Sequence, residues 1–123
     1  MPENCVVAAA RLAIETLYQG RCTVTEHQQH QEGGRTKYRE VVVLRDQPCH
    51  LSFSSAPAAG AADPVAPLLQ TVKLFLPPNI EVQSGSKITV TQNGITTDYR
   101  GSGVPMRYGT HQEIMLELFW GWT

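Results

Sequence analysis

The stretch from Gln70 to Tyr99 constrains the fold more than any other part of the chain. Val72, Leu74 and Leu76 alternate with Thr71, Lys73 and Phe75. Ile88 and Val90 alternate with Lys87, Thr89 and Thr91. A period of two sends successive side chains to opposite faces of a strand. Asn93-Gly94 then separates two such runs. This pair favours a type I′ hairpin, because both central residues must adopt positive φ. The segment reads as strand, bend, tight turn, strand, two-residue turn, strand. Its strands are short and one-sided, and none carries a reactive group. The expectation is a mainly β chain: a small antiparallel β-barrel with one N-terminal α-helix and long loops.

The 123 residues suit one domain spanning 1–123. A chain of this length buries roughly two-thirds of its unfolded surface, enough for a core without staples. Ten Lys plus Arg face eleven Asp plus Glu. That balance argues against a free-standing nucleic-acid binder, which carries a basic excess. The start, Met1-Pro2-Glu3-Asn4, lacks the positive region of a signal peptide, and Arg11 and Glu15 break the apolar stretch after it. No run approaches the roughly 20 apolar residues of a membrane-spanning helix. The odd set Cys5, Cys22 and Cys49 then reads as reduced thiols in a cytosolic chain.

Residues 5–19 read as the one helix, with Asn4 as its cap and Gly20 as its stop. Val7, Ala10, Ile14, Leu17 and Tyr18 share a face. Ala8, Ala9, Leu12 and Thr16 form the other, which is poor in charge. It is either a tolerant alanine-rich surface or a contact face for another subunit. The barrel is expected over residues 21–120. Arg21 to Gln28 reads as a strand, His27 to Thr36 as a polar loop with a Gly-Gly turn, and Lys37 to Leu44 as the returning strand. Pro48 opens a third strand with Cys49, Leu51 and Phe53 inward and His50, Ser52 and Ser54 outward. The stretch 54–67 holds Pro57, Pro64 and Pro67 without periodicity and reads as a mobile loop. In the last strand Ile114, Leu116 and Leu118 alternate with Glu113, Met115 and Glu117. The expected core is Cys22, Val24, Leu51, Phe53, Val72, Leu74, Ile88, Val90, Ile114, Leu116 and Leu118.

No phosphate-binding loop, nucleophile elbow or paired Cys-x-x-Cys is present. His27 and His30 have ligand-like spacing, but zinc needs three or four ligands on rigid positions, so solvated histidines are expected. Cys22 and Cys49 take inward positions and read as small apolar groups. His50 points away from Cys49, which works against a Cys-His pair. His111 and Glu113 share a strand face without an evident nucleophile, so surface polar residues are expected. The expectation is no enzyme, no cofactor and no metal. Arg35, Lys37 and Arg39 form a modest basic cluster, either a solvated edge or a contact for DNA phosphates or an acidic partner. Trp120 and Trp122 flank Gly121 and either fold back on the barrel or dock on a partner.

Several segments together resemble a known family. They are RCTVTE from Arg21, VVVLRDQPCHLSF from Val41 to Phe53, KLFLPPNI from Lys73 to Ile80, SGSKITVTQNG from Ser84 to Gly94 and HQEIMLELF from His111 to Phe119. They look like small proteins of the head-assembly modules of siphophages and prophages of Gram-positive bacteria. The likeness is to a head-closure, or head–tail connector, protein, with adaptor and tail-completion proteins of the same module as neighbours. It implies a small β-barrel subunit of a ring of about twelve copies. That ring would sit beneath the portal and adaptor proteins, retain packaged DNA and dock tail-terminator or tail-tube proteins. It implies a place in the virion neck, the host cytoplasm during assembly, transient contact with channel DNA and no membrane. An oligonucleotide-binding barrel is the alternative outside that module. Interface candidates are Ala8, Leu12, Thr16, Ser54, Pro57, Pro64, Pro67, Trp120 and Trp122. Candidates for a loop facing the channel or tail are His27, Gln29, His30, Gln31, Arg35 and Lys37.

Overall fold

The computed structural model describes residues 2–57 and 68–122. One helix, α1 (Pro2–Glu15), precedes seven strands: β1 (Gly20–Glu32), β2 (Arg35–Pro57), β3 (Leu68–Leu76), β4 (Lys87–Gln92), β5 (Ile95–Gly101), β6 (Met106–Arg107) and β7 (Gln112–Leu118). All pairings are antiparallel. The sheet runs β3-β2-β1-β4-β5-β7, and β6 pairs with the start of β7, Gln112 and Glu113. Pairing of β3 with β7 closes the strands into a ring. Closure removes the unpaired edges that a flat sheet would expose.

The inward positions of these strands make one core: Cys22, Val24, Cys49, Leu51, Leu74, Leu76, Ile88, Val90, Tyr99, Ile114 and Leu116. Nine of the eleven residues expected inside are buried or, like Val72, packed against that core. Phe53 and Leu118 are corrections: they are 54% and 45% exposed. Both continue the inward alternation, but they lie where the ring opens and no described residue forms a further layer over them. Ile95 is exposed at the same open end, where Leu51, Phe53, Ile95 and Tyr99 line a shallow recess.

The Asn93-Gly94 turn forms as expected. Its φ values of 53° and 76° are those of a type I′ turn, and Gln92 pairs with Ile95 across it. Other boundaries differ. The helix spans Pro2–Glu15, not 5–19, so Asn4 lies in its first turn instead of capping it. Gly20 is not its stop but the first residue of β1. A Cβ there would sit 3.0 Å from Gln92 Oε1 and 3.2 Å from the Thr91 carbonyl, so glycine serves close backbone approach. The region 27–36 is no loop. Gly33 and Gly34, at φ 58° and 78°, make a two-residue turn, and the strands stay paired up to it. The two strands expected over 37–44 and from Pro48 are one 23-residue strand, β2. The register shifts around Thr23, and Asp46 takes φ 48°. This bulge lets the strand bend without ending. Ser54 to Pro57, assigned to a loop, pair with Thr71 to Leu68. The rest of that loop, with Pro64 and Pro67, lies outside the described residues.

Two buried glutamines complete the ring. Gly20 is the last β1 residue beside β2, opposite Cys49, so Leu51 has no β1 partner on that side. Gln92 substitutes for one. Its Oε1 accepts from the Leu51 N–H at 2.8 Å, and its Nε2 donates to the Leu51 carbonyl at 3.1 Å. Gln112 donates to the carbonyls of Pro77 and Ile80 at 2.8 and 2.6 Å, tying down the connection after β3.

Candidate assembly surfaces

The longest feature outside the ring is the distal half of the β1–β2 hairpin. β1 pairs with β4 only from Arg21 to Thr25, and β2 pairs with β3 only from His50. From Glu26 to Val41 these strands pair only with each other and form a projecting arm. Residues paired across an antiparallel ribbon share a face. His27, Gln29, Gln31, Thr36, Tyr38 and Glu40 therefore share one face. Glu26, Gln28, His30, Glu32, Arg35, Lys37 and Arg39 share the other. His27 and His30 lie on opposite faces and cannot bind one ion together. Among the described residues no three His, Cys, Asp or Glu side chains converge as metal ligands would. The basic cluster is one-faced, with Glu32 3.5 Å from Lys37 and 3.4 Å from His30. Exposed pairs of this kind contribute roughly 0–1 kcal/mol. They hold the tip no more than loosely.

The base of the arm is held by the C-terminal segment. The Trp122 ring stacks on His27 at 4.7 Å, and His27 stacks on Tyr38 at 5.0 Å. Phe119 meets Trp122 edge-on at 4.9 Å. Trp122 Nε1 donates to Glu40 Oε1 at 2.8 Å, and Lys87 Nζ lies 3.4 Å from the same oxygen. The Trp122 hydrogen bond, followed by Lys87, holds the Glu40 carboxyl below the usual carboxylate range. Beside this clasp lies a polar hollow of about 300 Å³ edged by Ser84, Gly85, Ser86 and Arg100. Trp120, two residues before Trp122, makes no such contact and is 82% exposed. The two tryptophans have separate fates.

A second surface lies between α1 and the outer face of β2, β3 and β7. Arg11 bonds Glu15 at 2.7 Å and Asn79 at 2.8 Å, which ties the helix to the connection after β3. Two short backbone bonds, Leu17 to Ile14 and Tyr18 to Glu15, tighten the helix end into a turn. Ile14, Leu17 and Tyr18 thereby face His50, Ser52, Phe75 and His111 across a mostly apolar groove of about 340 Å³. Burial, with a smaller push from Glu15, raises the Tyr18 phenol to about 12. Tyr18 Oη and His50 Nδ1 have no hydrogen-bond partner among the described residues. His111, by contrast, is fully engaged. One ring nitrogen lies 2.9 Å from Thr110 Oγ1 and the other 2.9 Å from Glu113 Oε2. That second bond, with help from Lys73 at 3.4 Å, lowers the Glu113 pKa. His111 and Glu113 thus form a fixed structural pair.

Cys5 is exposed, and Cys22 and Cys49 are buried. A hydrogen bond with Cys49, together with burial, pushes the Cys22 thiol far up, so it stays protonated. His50 lies on the outer face, away from this pair.

The interface candidates are not gathered into one site. Ala8 and Leu12 are exposed on α1, and Thr16 is exposed in the turn just after it. Ser54 and Pro57 lie on the β2 end beside β3. Trp120 and Trp122 lie beyond β7. The channel candidates are split between the faces of the arm: His27, Gln29 and Gln31 on one, His30, Arg35 and Lys37 on the other. Sequence reasoning missed Tyr38, Glu40 and Lys87 in the clasp and His50 and Phe75 in the groove. The Gly33-Gly34 turn was the available signal for the clasp. Taken as a two-residue turn it sets Glu32 opposite Arg35, and His27 then falls opposite Glu40.

No protein-family model matches the chain, and no curated protein matches it. Among solved structures, the fold is similar to that of protein xkdH of the phage-like element PBSX from Bacillus subtilis. The TM-score is 0.51 at 12% identity, covering 80% of this chain and 91% of that one. At that identity the likeness is one of fold. No helix among the described residues is long and apolar enough to cross a membrane.

Proposed function

We propose that this chain is a structural subunit of a phage neck, a head-closure or connector ring beneath the portal and adaptor that retains packaged DNA and docks the tail. The observation that carries the reading is the fold shared with a protein of a phage-like element across nearly all of that protein's length. The projecting arm supports it. A two-stranded ribbon is marginal in water by itself, and an arm with both faces polar suits a wall past which DNA slides without binding. His27, Gln29, His30, Gln31, Arg35 and Lys37 then face the channel or the tail. The outer face of α1 with Ala8 and Leu12, continued by Thr16 just after it, meets the next subunit or the portal side. Head-to-tail contacts that close by rotation would make a ring, and the family resemblance puts its size at about twelve copies. Adaptor or tail-completion roles in the same module share this chemistry.

The test is deletion of the gene, with microscopy of the particles. Filled heads that leak DNA or lack tails support the reading, and normal infectious virions contradict it. Leu12 is 67% exposed, so Leu12→Asp leaves the domain folded and blocks assembly by placing a charge in a contact that excludes water. Shortening the arm across 27–36 permits the ring but causes leakage or failed tail joining.

A further inference from the structure

Among the described residues, Trp120 is the largest side chain left so exposed. Both of its flanks are fixed. The Phe119 N–H donates to the Asp98 carbonyl at 3.1 Å. Trp122 is bound to Glu40 and stacked on His27. The backbone on either side is therefore held while the indole between them stands 82% exposed. An aromatic anchor presented on a fixed backbone loses little freedom on docking, and tryptophan is enriched among residues that dominate interfaces.

The groove beside α1 has the matching character. Its volume of about 340 Å³ is near the small end of the roughly 300–1,000 Å³ range of ligand sites. Its walls are Ile14, Leu17, Tyr18 and Phe75, with His50 and Ser52 at its floor. The two features lie at opposite ends of β7. His111 borders the groove, Trp120 follows Leu118, and the seven steps between His111 and Leu118 span about 23 Å. A chain cannot fill its own groove with its own Trp120.

We infer that Trp120 of one copy seats in the α1 groove of the next, which makes the contact between copies head-to-tail. The inference deepens the ring reading and rests on it for its biological setting. The occupant is a second copy of this chain. A knob and a socket on distant parts of one subunit form a heterologous contact, which repeats around a closed ring or along a filament.

The experiment uses the full chain in three forms: unchanged, Trp120→Ala, and Ser52→Phe, which fills the groove from an outward position on β2. Sedimentation across a wide concentration range reads association, and thermal melting confirms that each form is folded. Each single variant weakens association about 30-fold or more, the loss typical of truncating or blocking a buried tryptophan anchor. An equal mixture of the two variants forms a heterodimer and nothing larger, because only the Trp120 of the Ser52→Phe chain meets an open groove. If Ser52→Phe fails to fold, Leu17→Glu on the groove wall replaces it. A Trp120→Ala chain that associates like the unchanged one overturns the inference, as does an unchanged chain that is monomeric at every concentration. Failure of the neck reading is distinguishable. Knob-and-socket association with normal virions after gene deletion removes the neck role alone. A normal ring in virions carrying Trp120→Ala removes this contact alone.

Discussion

A single side chain decides whether the ring of strands closes properly at Leu51. Gln92 supplies both a donor and an acceptor to that residue's backbone from 41 positions away. Gln92→Leu keeps the volume but leaves a buried N–H and C=O unpaired, so it destabilises the domain by about 2 kcal/mol or more. Chemical denaturation measures this directly. Gly94 acts through backbone conformation. At φ 76° nothing lies within 4 Å of an added Cβ, so Gly94→Val fails on strain alone. It costs more than about 1 kcal/mol, read as a lower melting temperature. The two sites differ in legibility. Asn93-Gly94 declares its turn type in two letters, because few residues accept positive φ. Gln92 and Gln112 fall in phase with the inward residues of their strands, but what they bond was not legible, because their partners are backbone groups that only the closed ring brings near. Phe53 and Leu118 show the converse. Alternation reports which way a side chain points, not whether another layer covers it.

At the scale of elements, the β1–β2 arm is the least expected part. His27 to Thr36 carries no apolar period, so its composition read as a loop. Strand pairing there rests on the Gly33-Gly34 turn and on the register it sets, with both faces left to water. The helix was legible from its apolar spacing, while its ends were not. Gly20 serves strand contact and not termination. The arm's rigidity depends on the C-terminal clasp, which gives a prediction at this scale. Trp122→Ala frees His27 and Tyr38 and accelerates amide hydrogen exchange over 26–32 and 35–41, with the strands of the ring unaffected. The clasp is also pH-dependent, with a definite sign. The folded-state pKa of Glu40 is lowered, so its stabilisation is complete above the ordinary carboxylate value of about 4.3. It is lost as pH falls through the depressed folded value. Exchange in the arm therefore rises at acid pH in the unchanged chain, and Glu40→Gln flattens that rise. An arm equally protected in all three forms contradicts the clasp.

The whole molecule combines a closed ring of strands, a helix lashed to its outer face and an arm that leaves the ring altogether. Among the described residues, the features that lack a covering lie at the periphery: the α1 face with Leu12, the recess near Phe53 and Ile95, the arm and Trp120. Exposed apolar side chains at the periphery, such as Leu12, Phe53, Ile95 and Trp120, are what the proposed assembly would cover. The sequence made the β class and the core positions plain. It could not join groups that meet only after closure, such as Tyr18 with His50 or Trp122 with Glu40. The account's central claim is that this assembly occurs at the junction of a phage head and tail. Cryo-electron microscopy of purified particles at that junction tests it most directly. The account predicts a ring of density there into which this fold docks, with the arm toward the channel or tail and Trp120 against the neighbouring α1. Particles whose junction is complete while this chain is absent from it would contradict the claim.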